Sequence, residues 1–191
     1  MSRLLDQIVV IDVESTCWEK GPPPDQASEI IEVGICLLDV QLLLEGEPRS
    51  VMVRPEQSKV TEFCTKLTTL TQADVDQGVP LLEACRILAV EYQVRDRMWA
   101  SYGDYDREQF RRECGRKGIQ IPFGRTHLNI KSLFAAAAGL SKEVGMDEAL
   151  QRIKLPLKGT HHRAGDDAQN IAAILRTVLL ASRSSLRTLW S

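Results

Sequence analysis

Residues 8–15 read "IVVIDVES", a run of branched apolar side chains that ends in two carboxylates two positions apart. Branched apolar residues favour a buried strand, and side chains alternate along a strand, so Asp12 and Glu14 share one face with their Cα atoms about 6.6 Å apart. Burying two unpaired anions is costly, whereas a divalent cation between them removes that cost. The alternative is that the strand simply runs into solvent at Asp12, and further acids are needed to decide.

The composition is that of an ordinary globular protein. The chain has 191 residues, of which 43% are hydrophobic and 26% charged, and this predicts a single domain over residues 1–191 with a sizeable core. The net charge is −2, so the chain lacks the overall basic field of architectural nucleic-acid binders. Any nucleic acid must therefore bind through a local site or through metal ions.

The cysteines and the N-terminal residues bear on the cellular location of the protein. Five cysteines form no CxxC pair and leave an odd one out, so the pattern indicates neither a disulfide framework nor a zinc knuckle. The first residues lack the apolar region of a signal peptide, and no apolar run approaches the roughly 18–20 residues of a membrane span. We therefore expect a soluble, cytoplasmic protein without a membrane partner.

Strand-like runs dominate the first part of the chain and helical patterns the rest. The strand-like runs cover 7–15, 29–40 and 50–55, which predict a meander, and a fourth, shorter run begins at 97. Helical patterns cover 71–93, 107–118, the end of 127–140, 146–153 and about Asp166 to Leu189. Three consecutive prolines place residues 19–28 in an exposed loop. This order predicts an α/β domain whose mixed sheet is covered by helices.

A third candidate acid lies in "SYGDYDREQF" (101–110), after the predicted fourth strand. On helical spacing Asp106 shares a stripe with Phe110 and Cys114, whereas the stripe of Asp104 carries charged residues. We therefore expect Asp106 to point inward and Asp104 outward. The alternative for Asp106 is an ordinary helix N-cap, because a glutamine follows three residues later as in a capping box.

A fourth candidate acid opens the last long helix. Asp167 continues into an apolar stripe at offsets of four, seven, eight and eleven, namely Ile171, Ile174, Leu175 and Val178. Asp166 continues into polar or small residues and is interpreted as an N-terminal cap or first-turn acid that complements the helix dipole. A first-turn role is the alternative for Asp167 as well.

Two adjacent histidines precede this helix in the segment "KLPLKGTHHRAG" (154–165). His162 lies five residues before Asp167, where an imidazole could act as a base over a site without joining the core. A lone histidine is more often structural or solvent-exposed, and His161 has the same spacing to Asp166. Sequence geometry alone therefore does not separate the two histidines.

Together these observations predict a site of four carboxylates and a histidine. Ligation by oxygen alone suits Mg²⁺ or Mn²⁺ rather than zinc. Two such ions about 3.5–4 Å apart can activate an attacking water and stabilise the leaving oxygen of a phosphodiester. Metal-dependent phosphodiester chemistry is the expectation that follows.

The motifs resemble those of the DEDDh 3′–5′ exonucleases of the DnaQ-like, ribonuclease H-like superfamily, in the branch of the 3′ histone-mRNA exonucleases and their KapD-like relatives. The resemblance spans about residues 8–176, through the segments "IDVESTCWE", "EIIEVG", "FCTKLTTLTQADVD", "SYGDYD", "HLNIKSLFA" and "LPLKGTHHRAGDDAQNIA". It implies a ribonuclease H-like α/β fold with a mixed five-stranded sheet flanked by helices. It also implies removal of nucleoside 5′-monophosphates from single-stranded 3′ ends, RNA more than DNA, with two Mg²⁺ or Mn²⁺ ions.

The resemblance also implies a role for each candidate residue. Asp12 and Glu14 match the paired metal ligands of the first motif, with Asp12 bridging both ions. Asp106 and Asp167 match the acids of the second and final motifs. His162 matches the histidine that deprotonates the attacking water, and the choice of His162 over its neighbour rests on the resemblance alone.

Substrate contacts are also implied by the resemblance. Ser15, Thr16, Cys17 and Trp18 are expected to line the pocket for the terminal nucleotide, although a tryptophan near a strand end is as often part of a core edge. The segment "KLTTLTQ" is expected to shape the same pocket, or Thr71 merely caps the next helix. The basic residues Arg107, Arg111, Arg112, Arg116 and Lys117 either track phosphates or form an ordinary solvated helix face.

Two rival functions come from other classes. One is a catalytically weak module that binds 3′ ends of nucleic acid, against which the five filled catalytic positions argue. The other is a phosphatase or nucleotidyltransferase that uses the first acid pair alone, against which the later acids and the histidine argue. The sequence leaves open the preference between RNA and DNA, the oligomeric state and the role of the proline loop at 21–24.

Overall fold

A mixed sheet forms the centre of the molecule. The computed structural model describes residues 4–190, without the side chains of Arg187, Leu189 and Trp190. Within that range the strands are β1 (Leu4–Ser15), β2 (Ile30–Asp39), β3 (Arg49–Met52), β4 (Arg97–Ser101) and β5 (His127–Asn129). Their order across the sheet is β3-β2-β1-β4-β5. β1 pairs antiparallel with β2 and parallel with β4, so the predicted mixed five-stranded sheet is confirmed.

Helices flank this sheet. They are α1 (Glu62–Thr68), α2 (Gln72–Asp76), α3 (Leu81–Glu91), α4 (Tyr105–Lys117), α5 (Ile130–Ala137), α6 (Met146–Arg152) and α7 (Ala164–Trp190). The sequence prediction gave α1 no structure and began α7 two residues too late, at Asp166. The helical spacing over 71–93 forms two helices, because the chain breaks between α2 and α3, and Pro80, which suits a first turn, is the N-cap of α3.

The break between α2 and α3 has a packing cause. A Cβ atom on Gly78 would lie 2.8 Å from backbone atoms of Met52, so the chain runs directly against the end of β3. Val79 then forms a parallel bridge with Val53, and this bridge takes the chain out of the helix. Thr71 caps α2 in a capping box with Asp74, so the capping interpretation of that residue is confirmed.

Each face of the sheet is covered by its own apolar cluster. Ile8 and Val10 of β1 pack in the cluster that includes residues of α5, α6 and α7, whereas Val9 and Ile11 pack in the cluster with residues of α3 and α4. These four side chains are buried, as the alternation in the sequence predicts for a central strand. The acids near the end of β1 therefore belong to the central strand of the sheet, which is packed on both faces.

In the part of the chain that the structure describes, no helix is both long enough and apolar enough to cross a bilayer.

Candidate active site

The first pair of acids lies where β1 leaves the sheet. Asp12 is partly exposed and Glu14 is buried, and the register of β1 against β2 shifts directly after Glu14. β4, the parallel neighbour of β1, ends at Ser101, so both strands deliver the chain to the same edge of the sheet. Loops that follow parallel strands meet at such an edge, which is where open α/β sheets bind ligands.

Asp106 joins this edge from the first turn of α4. It is buried, and its Oδ1 accepts a hydrogen bond of 2.9 Å from the backbone N–H of Val13, between the two acids of β1. The N-cap of α4 is Asp104, so the N-cap alternative for Asp106 is wrong. Asp104 points outward, with its side chain 54% exposed and paired with Arg107 at 2.9 Å. The predicted inward and outward directions of the two aspartates are confirmed.

Asp104→Asn is expected to change the activity of the site by less than about 3-fold, because surface substitutions away from a site have small effects. Its carboxylate contacts Arg107 and Asn129 on the surface and is absent from the lining of the cavity described below. Initial rates of the variant and the wild type, compared in the same assay as Asp106→Asn, measure the effect. A loss of activity as large as that of Asp106→Asn would contradict the assignment of the two aspartates.

Asp167 completes the set from the first turn of α7. It is buried, and its Oδ2 accepts the backbone N–H of His162 at 2.9 Å. Asp166, by contrast, is partly exposed and accepts the backbone N–H of Thr160 at 2.8 Å. Asp166 therefore orders the turn before the helix, in agreement with its interpretation as an acid of the helix terminus.

The two histidines lie face to face at the entrance to α7. Their ring centroids are 3.9 Å apart and their planes 19° apart. The Nδ1 atom of His161 lies 3.0 Å from Oδ2 of Asp167, so this ring is held by that carboxylate. The Nδ1 atom of His162 lies 3.9 Å from Oε1 of Glu14, and within the described residues the ring of His162 makes no hydrogen bond.

The four carboxylates are in an unfavourable electrostatic environment. Burial, reinforced by the other carboxylates, raises the pKa of Glu14 to about 8 and that of Asp12 well above its usual range. Burial also raises the pKa of Asp106 to about 7 and moves that of Asp167 upward. Burial and mutual repulsion therefore favour the protonated forms of these carboxyl groups, and a bound cation would favour the ionised forms.

The donor atoms fit a hard divalent cation. Asp12, Glu14 and Asp167 each offer a carboxylate oxygen, and these oxygens lie within 4.8 Å of one another. Carboxylate oxygens are the ligands that Mg²⁺ and Mn²⁺ prefer. Asp167 also lies within the same reach of His161 and His162, so the carboxylates and the histidines form one continuous site.

A cavity of about 360 Å³ opens over these residues. All five predicted catalytic residues line it, and of the four predicted substrate-binding residues only Ser15 and Cys17 do. Thr16 instead uses its Oγ1 atom to accept the N–H of Glu29, which joins β1 to the start of β2. Trp18 lines a separate depression beside α1. The structure therefore brings together the acids, both histidines and two of the four residues expected to contact the nucleotide.

Other residues of the lining were not selected from the sequence. Tyr102, Tyr105, Lys131 and Met146 border the cavity. Tyr105 directly precedes Asp106, and Lys131 lies in the motif "HLNIKSLFA". Their proximity in the sequence to predicted site motifs was therefore a signal that could have selected them. Their orientation depends on how α4 and α5 pack, which sequence spacing does not give. The segment "KLTTLTQ" contributes Leu67 to the lining, as expected for a segment that shapes the pocket.

The basic residues of α4 have local partners. Arg107 and Arg111 form ion pairs with acids of the same segment, and Arg116 donates to the carbonyl of Ser28 at 2.7 Å. Lys117 lies 2.9 Å from a carboxylate oxygen of Glu29. These contacts favour the structural interpretation of this cluster over a track for phosphates.

The fold and the cavity define a class of enzyme. A mixed five-stranded sheet that carries a carboxylate cluster and two histidines at one cavity agrees with the ribonuclease H-like 3′–5′ exonucleases that the motifs resemble. Residues 9–175 match the RNase T family model, described as exonuclease, and the chain belongs to that family. The prediction of an exonuclease of this superfamily is thereby confirmed.

Curated relatives agree with this family. The chain is 27% identical over 192 residues to 3′-5′ exonuclease Snipper of Drosophila melanogaster, covering 88% of this chain and 67% of the relative. It is 27% identical over 180 residues to human 3′-5′ exoribonuclease 1, covering 88% of this chain and 51% of the relative. It is 28% identical to human ERI1 exoribonuclease 2, of which it spans 28%.

A solved structure agrees in fold. The nuclease domain of 3′hExo, described as a DEDDh family member bound to rAMP, superposes with a TM-score of 0.85 at 24% identity and covers 95% of both chains. A second structure, described as 3′-end specific recognition of histone mRNA stem-loop by 3′-exonuclease, has a TM-score of 0.83 at 24% identity and covers 93% of this chain and 65% of that one. The ribonuclease H-like fold predicted from the sequence is confirmed.

Proposed function

We propose that this exonuclease removes nucleoside 5′-monophosphates from single-stranded 3′ ends, with RNA preferred to DNA. The observation that carries the proposal is the convergence of Asp12, Glu14, Asp106, Asp167 and His162 on one cavity of a family member. Each of these residues comes from the end of β1, from the start of α4 or from the entrance to α7. They are separated in the sequence, so their meeting in one cavity is a property of the fold.

The preference for RNA is supported by relatives. Human 3′-5′ exoribonuclease 1 is named for action on RNA, and the 3′hExo nuclease domain is described as bound to rAMP. The chain spans only about half of that human relative, so RNA as the substrate of this chain is part of the proposal. Discrimination between RNA and DNA requires contacts to the 2′-hydroxyl group.

The four carboxylates would hold two Mg²⁺ or Mn²⁺ ions. When bound, such ions polarise the phosphodiester, lower the pKa of water and stabilise charge on the leaving oxygen. Asp12 interacts electrostatically with each of the other three acids, Glu14, Asp106 and Asp167, and would contribute to the binding of both ions. The hydrogen bond from the backbone N–H of Val13 to Asp106 fixes the position of Asp106 relative to Asp12 and Glu14, because it ties α4 to β1 between these two acids.

His162 is the candidate general base. Burial lowers its pKa, so the imidazole is neutral near pH 7 and its ring can accept a proton. His161 lies beside it in the same cavity, with its Nδ1 held by Asp167 and its Nε2 left available. The choice of His162 over His161 therefore rests on the family resemblance.

Addition of a divalent cation is expected to raise the free energy of unfolding of the protein. Mn²⁺ at about 100 times its Kd should add about 2.7 kcal/mol, which for a chain of this size is a rise in Tm of about 5–10 °C. Asp12→Asn should abolish this rise and by itself raise the Tm of the metal-free protein, since it removes one charge from the cluster. Thermal unfolding of both proteins in EDTA and in Mn²⁺ measures both effects. An equal rise in both proteins would contradict the ligand role of Asp12.

The activity is tested with 5′-labelled single-stranded RNA and DNA of one sequence, incubated with Mg²⁺, Mn²⁺ or EDTA beside the Asp12→Asn variant. The expected result is a metal-dependent ladder that shortens from the 3′ end, faster on RNA. Chromatography should identify nucleoside 5′-monophosphate as the product. Intact substrate that is nevertheless retained in a gel shift would favour the 3′-end binding module, and release of inorganic phosphate would favour a phosphatase.

The single-domain organisation of residues 1–191 and the cytoplasmic location stay predictions of the sequence.

A further inference from the structure

A fifth carboxylate lies beside the site and takes no part in the role assignments above. Glu32 of β2 is directly opposite Glu14 in the antiparallel pair of β1 and β2. Its relative exposure is 0%, yet it lies outside the cavity lining. A buried carboxylate requires hydrogen-bond or ionic partners, and those of Glu32 all come from the turn that carries the two histidines.

Three N–H groups of this turn donate to Glu32. The Nε and one terminal nitrogen of Arg163 each lie 3.2 Å from a different oxygen of the carboxylate, which is a two-pronged ion pair. The backbone N–H of Ala164, the first residue of α7, donates to the same carboxylate at 3.0 Å. Glu32 therefore fixes the two residues that directly follow His162 to the second strand of the sheet.

The turn needs such support because its backbone is unusual. His162 has φ of 63°, in the left-handed region, which costs a residue with a Cβ atom about 1–2 kcal/mol. The start of α7 also lies directly on the sheet, since a Cβ atom on Gly34 would lie 1.8 Å from the carbonyl oxygen of Ala164. Two carboxylates hold the turn from opposite sides, Asp167 through the N–H of His162 and Glu32 through the residues after it.

We propose that the ion pair between Glu32 and Arg163 is a positioning device that holds the imidazole of His162 over Glu14 in the orientation that proton abstraction requires. This inference rests on the proposed exonuclease function and assigns no contact with the substrate to either residue. A buried ion pair adds little net stability compared with apolar residues of the same size. The pair is therefore better explained by the geometry that it imposes, and Arg163 also offsets a charge next to the metal ligand Glu14.

Glu32→Gln tests the proposal with little change of shape, because glutamine can still accept the N–H of Ala164 but lacks the charge that holds Arg163. A displacement of about 1 Å at a reacting group costs up to about 100-fold, so kcat should fall about 10–100-fold with KM changed less than about 3-fold. Arg163→Lys should retain more activity than Arg163→Gln, because it keeps the charge. Steady-state kinetics on single-stranded RNA give both parameters.

A double-mutant cycle separates positioning from general stabilisation. If the pair acts through His162, Glu32→Gln should cost less than about 2-fold when His162 is already alanine. The same 10–100-fold loss in both backgrounds would overturn the proposal. Mn²⁺ binding by calorimetry should be equal in the wild type and Glu32→Gln, and a loss of Mn²⁺ binding would overturn it as well.

A second arginine–glutamate pair of similar exposure supplies a control. Arg176 and Glu45 lie 3.1 Å apart with side chains 34% and 10% exposed, compared with 34% and 0% for Arg163 and Glu32, and Glu45 also pairs with Lys158. Neither residue of the control pair lines the cavity, so Glu45→Gln should leave kcat unchanged. An equal loss of kcat in Glu32→Gln and Glu45→Gln would show that the loss of either ion pair lowers activity, and would contradict the positioning role.

The outcomes also separate this proposal from the proposed function. A wild type that releases no mononucleotide in metal would contradict the exonuclease function, and the positioning role with it. An active wild type beside a folded, fully active Glu32→Gln variant would contradict the positioning role alone. If Glu32→Gln does not fold, as judged by circular dichroism, the same cycle with Arg163→Gln decides the question.

Discussion

Asp12→Asn is expected to lower kcat/KM on single-stranded RNA by about 10³-fold or more, which corresponds to about 4 kcal/mol of lost transition-state stabilisation. Asparagine keeps the shape of the side chain and the packing at the end of β1 but removes the negative charge that a divalent cation requires. Asp12 would hold the cation together with Glu14 and Asp167, so the substitution would remove one of its charged ligands. Asp167→Asn is expected to have a similar effect and, in addition, to loosen the hydrogen bonds to both histidines.

The measurement is the initial rate of 5′-mononucleotide release at saturating Mg²⁺, with Asp104→Asn as the control. Asp104 is also an aspartate at the start of α4, but its side chain points into solvent. A folded Asp12→Asn variant that retains more than about one tenth of the wild-type rate would refute the metal-ligand assignment. An equal loss in Asp104→Asn would show that the assay responds to any change near this edge of the sheet.

His162→Ala is expected to lower kcat by about 10²–10⁴-fold, the usual contribution of a general base, with a much smaller change in KM. His161→Ala is expected to cost less than about 10-fold. The reason is that the family resemblance assigns the base to His162, whereas His161 is expected to contribute only its contact with Asp167. The two variants are matched in residue type and position, so each controls for the other.

Single-turnover rates at saturating enzyme give the chemical step for both histidine variants without contributions from binding. Mn²⁺ affinity of each variant, measured by calorimetry, checks that the carboxylates still bind metal. The assignment fails if His161→Ala is the more damaging variant while both retain Mn²⁺ binding. In that case His161 is the base, and its contact with Asp167 orients the reacting ring.

Local periodicity predicted the features that depend on one element at a time. The alternation of "IVVIDVES" placed Asp12 and Glu14 on one face, and helical spacing separated the inward Asp106 from the outward Asp104. These directions follow from the geometry of a strand or of a helix alone. The structure agrees with each of them because the apolar stripes that define the inner faces are continuous with the core.

Features that depend on contacts between distant segments could not be predicted from the spacing of residues in the sequence. Gly78 interrupts the predicted helix over 71–93 because it packs on the end of β3, and nothing in the helical pattern reports that contact. Thr16 was expected at the nucleotide, whereas its hydroxyl accepts the N–H of Glu29. In the sequence, Glu32 is one polar residue within a predicted strand. Its hydrogen-bond partners could not be predicted from spacing, because they lie more than a hundred residues further along the chain.

The position of Asp167 in the last helix has a consequence for the timing of protein synthesis. The ligand set begins at residue 12 and is complete only when the start of α7 has been added, after every strand of the sheet. A nascent chain therefore carries an incomplete cluster during most of its translation, while it remains tethered to the messenger RNA that encodes it. The four acids can therefore meet only after the start of α7 has been synthesised.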